Sequence, residues 1–515
     1  MAVSLTTPAW AVWVHLWRTQ LVELLLTTVG LLVGVEVGVL VLGTGLAWLV
    51  TAYDFPGRRV FEWALVLPLA LPAYVIGFVF LGVFDYAGPL QTALRAWLGA
   101  GLRLPDPRAS WGVAVVMTFV FYPYVYALAR TAFRDQAPEA IESARALGRT
   151  RWGVLRHVTL PLARPALVAG MTLAGMEALA DFGTVATFGV RTLTVAVYRV
   201  WHGLFDRPAA TQLAALLLTV AVTLVVVERT ARGRARFAQP RRRGRAAAPT
   251  RLSGVRAWAA SGTCLTVLTV AFGLPVAQLG IWVGEVLARD GLPAGFGGLV
   301  AGSLQLAGTA ALLVTVLAVL LGYALRLRPT RLVAGAVRFA TMGYAVPGAV
   351  IAVGVLLPLA GLDRVLASGL RWVAGMDPGL LVTGSAAGLL FAYVVRFLAV
   401  GAHAVEAGLS RIPLHLDEAA RSLGAGPGKT LRAVHLPLLR GGILTGLALT
   451  FVDVMKEMPA TILLRPLGWD TLAIAIWQRT AESLWAEAAV PALALVAAGL
   501  VPVALILRLD RGPAR

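Results

Sequence analysis

Glu142-Ser143-Ala144, then Gly148, then Val158-Thr159-Leu160-Pro161, and later Glu418-Ala419-Ala420, then Gly424, then Val434-His435-Leu436-Pro437: two stretches of one pattern lie 276 residues apart in an otherwise apolar chain. Glutamate to glycine spans six residues in both copies and glycine to proline thirteen, with no gap. Each copy reads as a short helix with an acid-rich first turn, ended by a glycine that can take a left-handed turn. The Leu-Pro that follows reads as the start of a new helix, because proline is tolerated in a first turn. Two copies at identical spacing exclude an ordinary amphipathic loop met by chance.

The surroundings are membrane-like. Of 515 residues, 58% are apolar and 14% charged, where an ordinary soluble chain is nearer a quarter charged. Mean hydropathy is +0.79. The apolar residues form continuous blocks of about the 20 residues that a helical span needs, not the alternating ten-residue strands of a β-barrel. The spacing predicts spans over residues 24–50, 60–82, 112–133, 166–185 and 213–227, and then over 258–282, 303–325, 337–359, 380–403, 441–464 and 488–507. The expected fold is an all-α polytopic membrane protein with 11 to 12 transmembrane helices in two tandem homologous halves. These are 1–228 and 258–515, joined by a basic linker over 229–257.

Arginine sets the orientation. The net charge is +19, and ten arginines and no acid lie between Arg229 and Arg256. Such a run could bind nucleic acid, but a loop tethered between two spans has a simpler reason to be basic: cytoplasmic loops are enriched in Lys and Arg. No nucleic-acid partner is expected. Both glutamate-to-proline stretches fall on that same cytoplasmic side. The single cysteine, Cys264, excludes an internal disulfide. No charged n-region precedes a short apolar stretch with a cleavage site, so no cleavable leader is expected. The repeat extends further, with Gly45-Leu46-Ala47 matching Gly322-Tyr323-Ala324, Leu71-Pro72-Ala73 matching Val346-Pro347-Gly348, and Thr192-Leu193 matching Thr471-Leu472. Matches in one order at nearly constant offset mean parallel copies.

Two acid pairs fall inside spans: Glu177 with Asp181, and Asp453 with Glu457, again 276 residues apart. A spacing of four puts each pair on one helix face. Ionisable groups at that depth usually face a bundle interior or a pathway. These four are the expected substrate-pathway residues, and hard oxygen ligands would suit a cation such as Fe³⁺. The six histidines are too scattered for a metal cage, and His157 and His435 are expected to serve loop packing. Gly424-Ala425-Gly426-Pro427-Gly428-Lys429-Thr430 imitates a P-loop, but its glycine spacing is wrong and Pro427 removes an N–H that a phosphate cradle needs. No catalytic residue, resident metal or cofactor is expected.

The pattern E-A-A-x3-G-x9-(I/V)-x-L-P resembles the EAA loop of binding-protein-dependent ABC-importer permeases. Ala180-Asp181-Phe182-Gly183-Thr184 and Lys456-Glu457-Met458-Pro459-Ala460-Thr461 look like the fused permeases of bacterial ferric-iron importers of the Fbp/Sfu type. The resemblance implies a type I importer fold in the bacterial inner (plasma) membrane. It also implies a periplasmic ferric-binding protein as donor and two copies of a separate ABC ATPase subunit that hydrolyses the ATP. It gives Glu142, Ala144 and Gly148, with Glu418, Ala420 and Gly424, the role of docking the ATPase. Thiamine and polyamine permeases share the architecture. A secondary transporter with parallel repeats is the rival class, and it needs no paired EAA loops.

Overall fold

The computed structural model describes residues 10–99, 101–136, 138–204, 206–232, 249–375, 380–466 and 468–510. Most of the predicted linker lies outside them. Ten described helices are long and apolar enough to cross a bilayer, and a shorter apolar helix covers Trp485–Leu500. Each of the eleven predicted spans overlaps one of these helices.

Contacts divide the chain into two units. One holds residues 9–199 and 216–281. In it, helices Leu21–Ala52, Ser110–Arg134 and Leu160–Ala180 pack mutually. Small residues let backbones approach: a Cβ on Gly43 would come within 2.8 Å of Tyr122 O, and one on Gly170 within 2.7 Å of Val125 Cα. The leading span of the predicted second half, Gly254–Leu268, also belongs to this unit; Ser261 Oγ donates to Pro56 O at 2.7 Å. The other unit holds the described residues of 200–215 and 282–510. Its helices Phe296–Leu327, Ala386–Leu409 and Leu436–Lys456 form the same kind of trio.

Three predicted boundaries change, each for a backbone reason. Span 60–82 is broken: Arg58–Ala64 gives way to a 3₁₀ turn, Leu67–Ala70, and a new helix starts at Ala73. Pro68 and Pro72 remove two N–H donors there. Span 337–359 breaks identically, with a 3₁₀ turn at Thr341–Ala345 and a restart at Gly348 after Pro347. Finally, α-helices begin at Leu160 and Leu436 with the proline in the first turn, as expected, but no break separates them from the residues before. Continuous helices run over Arg151–Ala180 and Pro427–Lys456, each crossing a π-turn at Leu155–Thr159 or Leu431–His435. Leu160 N–H reaches back five residues to Leu155 O, as Leu436 does to Leu431 O. Proline lacks an N–H and its ring crowds the carbonyl four residues back; one extra residue in the turn relieves that conflict. A third π-turn, Thr269–Gly273, likewise precedes Leu274-Pro275.

Candidate functional site

Both loops end their short helix in the same hydrogen-bonded turn. In the first, helix Pro138–Ala146 closes with Arg149 N–H on Ala144 O at 3.1 Å and Gly148 N–H on Arg145 O at 2.9 Å. In the second, helix His415–Ser422 closes with Ala425 N–H on Ala420 O and Gly424 N–H on Arg421 O, both at 2.9 Å. This six-to-one, five-to-two pair requires a left-handed residue, and Gly148 and Gly424 have φ of +78° and +73°. Ala144 and Ala420 turn inward and are buried, while Glu142 and Glu418 are exposed. Open space surrounds both glycines. All six predicted docking residues thus sit at matched places in two matched turns.

Sequence reasoning missed the leucine before each glycine. Leu147 is 84% and Leu423 86% exposed, an arrangement that water does not favour. The available signal was their identity at the 276-residue offset; composition alone assigns such leucines to a core.

Support for the two turns differs. In the second loop Asp417 accepts from Arg326 Nη2 at 2.5 Å and lies 2.6 Å from His435 Nε2. The same guanidinium reaches Leu409 O and Ile412 O at 2.9 Å, and Tyr323 OH donates to Pro427 O at 2.7 Å. Burial alone pushes the Asp417 carboxyl up, but hydrogen bonds from Arg326 and His435 outweigh it and hold the group below the usual carboxylate range. His435 is fully buried, as its packing role predicts, whereas His157 is exposed and bonds back to Gly153 O of its own helix at 3.0 Å. In the first loop the matching positions are Ile141 for Asp417, Thr159 for His435 and Leu46 for Tyr323. There Gln136 Nε2 donates to Thr159 O at 2.9 Å instead.

The acids require a correction. The second member of each pair does not continue a helix face. Helices Leu160–Ala180 and Leu436–Lys456 both stop one residue short of it, and Asp181 and Glu457 turn extended. Each then caps the next short helix, Gly183–Thr187 or Pro459–Leu464. Asp181 accepts from Thr184 N–H at 2.8 Å and Thr184 Oγ1 at 3.0 Å. Glu457 accepts from Ala460 N–H at 2.9 Å. Glu177 and Asp453 stay helical, one turn earlier and half-buried. Each pair belongs to a different unit, and the four are not described as one cluster.

Arg396 was also missed. Its Nε lies 3.1 Å from Glu457 Oε2, with both side chains under 10% exposed. A Cβ at Gly348 would approach Arg396 Nη1 to 2.4 Å and Glu457 Oε1 to 2.5 Å. That is why the repeat reads Pro-Gly at 347–348 and Pro-Ala at 72–73. The signal was present, since a lone arginine inside predicted span 380–403 marks a buried partner. Among the described residues no three His, Cys, Asp or Glu side chains gather as a metal site.

Long apolar helices, two tandem halves and one capped turn per half define a polytopic membrane permease. The chain belongs to the family described as "Binding-protein-dependent transport system inner membrane component", which matches residues 40–229 and 292–514. It is a multi-pass inner-membrane protein and the permease of an ABC importer. It is similar to the Fe(3+)-transport system permease protein FbpB 2 of Haemophilus influenzae, 26% identical over 95% of this chain and 90% of that protein. The sulfate transport system permease protein CysT of Escherichia coli is 33% identical over 36% of this chain and 67% of its own length. The molybdenum transport system permease protein ModB of Escherichia coli is 28% identical over 41% and 89%.

Proposed function

We propose that this permease moves ferric iron from a periplasmic binding protein into the cytoplasm by alternating access. Two ABC ATPase subunits drive it, one on each EAA turn. The observation that carries the cargo is likeness over almost the whole fused chain to a permease named for Fe(3+), while the sulfate and molybdenum permeases align with under half of it. The acids Glu177, Asp181, Asp453 and Glu457 support it, because carboxylate oxygens at two equivalent helix breaks suit a hard cation and repel an oxyanion.

The docking role rests on the paired turns. Each presents an exposed glutamate and a bare leucine on a rigid cap, and the helix behind it runs unbroken to the acid at the next break. Closure of the ATPases then reaches the pathway as a rigid-body push.

One observation favours a second reading, an oxyanion cargo: Arg396 sits on Glu457 and cancels its charge in the second half. The discriminating experiment reconstitutes the permease with its ATPase and adds candidate binding proteins, loaded or empty. Stimulation of ATP hydrolysis by the Fe³⁺-loaded protein is expected. Stimulation only by sulfate- or molybdate-loaded protein overturns the iron reading and leaves the permease assignment intact.

A further inference from the structure

A cavity of about 620 Å³ opens beneath the first docking loop. Four guanidinium groups line it, those of Arg58, Arg134, Arg145 and Arg151, and Glu142 is the one carboxylate among the described lining residues. Arg58 is paired with Asp54 and Arg134 with Glu62 outside the lining. Arg145 and Arg151 therefore face a single Glu142, and the balance stays positive.

We propose that this cavity is a binding site for a hydroxyl-bearing phosphate ester of the glycerophosphate type, supplied by a phospholipid headgroup or by a soluble metabolite. The volume falls within the range of small-molecule sites. Guanidinium forks match phosphate oxygens geometrically. The hydroxyl is called for by Gln136, which is 5% exposed and lines the cavity. Its Nε2 donates to Thr159 O, and its Oε1 has no partner among the described residues. A buried acceptor of that kind is costly unless a donor reaches it, and phosphate oxygens alone supply none.

Position favours the membrane interface. The cavity lies at the end of helix Leu21–Ala52, where Trp48 packs edge-on to Tyr53 at 5.2 Å and Arg151 sits over the Tyr53 ring at 5.6 Å. Aromatics with arginine at the end of a span mark headgroup depth. A further wall is made by Pro249 and Thr250, held there as Tyr53 and Asp54 pair in parallel with Thr250 and Arg251. In the second unit the corresponding support is built from side chains, Arg326, Asp417, His435 and Tyr323. The ester takes the place of that brace in the first.

The test melts the full chain in neutral detergent with dioleoyl phosphatidylglycerol, dioleoyl phosphatidylcholine, sn-glycerol 3-phosphate or inorganic phosphate. It needs neither cargo nor ATPase, so its failure is separable from failure of the transport reading. Phosphatidylglycerol is expected to raise the midpoint by about 5 °C, as ligand linkage gives at concentrations well above Kd, with no rise from phosphatidylcholine. A rise with glycerol 3-phosphate of similar size identifies the soluble source; a rise with the lipid alone identifies the headgroup. R145Q/R151Q should abolish the rise, and R338Q/R440Q, on arginines outside the cavity, should keep it. If R145Q/R151Q does not fold, Q136E is read the same way, since it places a carboxylate where the ester binds. The proposal is overturned if neither the lipid nor glycerol 3-phosphate raises the midpoint, or if the rise survives in R145Q/R151Q or, where that variant does not fold, in Q136E.

Discussion

The two halves present the same glycine-capped turn and hold it by different means. The second turn rests on a partly buried ion pair, a histidine and a tyrosine drawn from three helices; the first has aliphatic or small residues at those positions and a cavity beneath it. The helix breaks repeat the lesson. Asp181 is satisfied locally by Thr184, whereas Glu457 needs Arg396 from another helix. The backbone geometry of the turn is common to both halves, whereas its support in the second half depends on long-range charge. Such pairs are strongly destabilising when one member is removed, while a local cap tolerates a conservative exchange.

The shared part is broken most severely by Leu147→Glu combined with Leu423→Glu. Both side chains are exposed, so the chain should fold with a midpoint close to wild type. Recovery of the ATPase subunit on affinity purification should fall more than about tenfold, as loss of an apolar hot spot predicts. Equal recovery removes the docking role from these turns.

The difference between the breaks is sharpened by Glu457→Gln against Asp181→Asn. The first strands Arg396 in a buried site and should cost about 4 kcal/mol of stability. The second keeps an acceptor for Thr184 N–H and should cost under about 1 kcal/mol. Denaturation of the two purified variants side by side checks this, and equal losses would erase the asymmetry.

Arg326→Gln tests the second loop alone. It should cost about 3 kcal/mol and make the Arg421–Ala425 peptide bonds cleavable by added protease before those of Arg145–Arg149. The smallest effect is in pH. The folded Asp417 carboxyl lies below its unfolded value, so its contribution is whole above about pH 4 and is lost only as pH falls further. Protease sensitivity of the second turn should stay flat from pH 8 to about pH 4 and rise below that.

Much of this was legible in the sequence, and the reasons are physical. Gly148 and Gly424 were readable because only glycine takes the left-handed position cheaply, and the spans because bilayer thickness fixes apolar length. Leu-Pro gives the helix starts but not the π-turns before them, because the dipeptide fits a first turn after a loop as well as one after a π-turn, and only the ladder of hydrogen bonds tells them apart. The acid pairs were read as one helix face because a spacing of four says nothing about a helix that stops between its members. Arg396 is the counterpart of Glu457: burying that carboxylate in an apolar bundle demands a cation, but the sequence alone does not say which helix supplies it.

The π-turns carry a consequence of their own. One surplus residue advances a helix by about 100° of azimuth. At Leu155–Thr159 and Leu431–His435 that advance fixes which way each glycine-capped turn points relative to the membrane-embedded shaft. Residue count here matters more than residue identity: deleting Arg156 or Arg432 would swing a chemically intact turn through about a quarter circle.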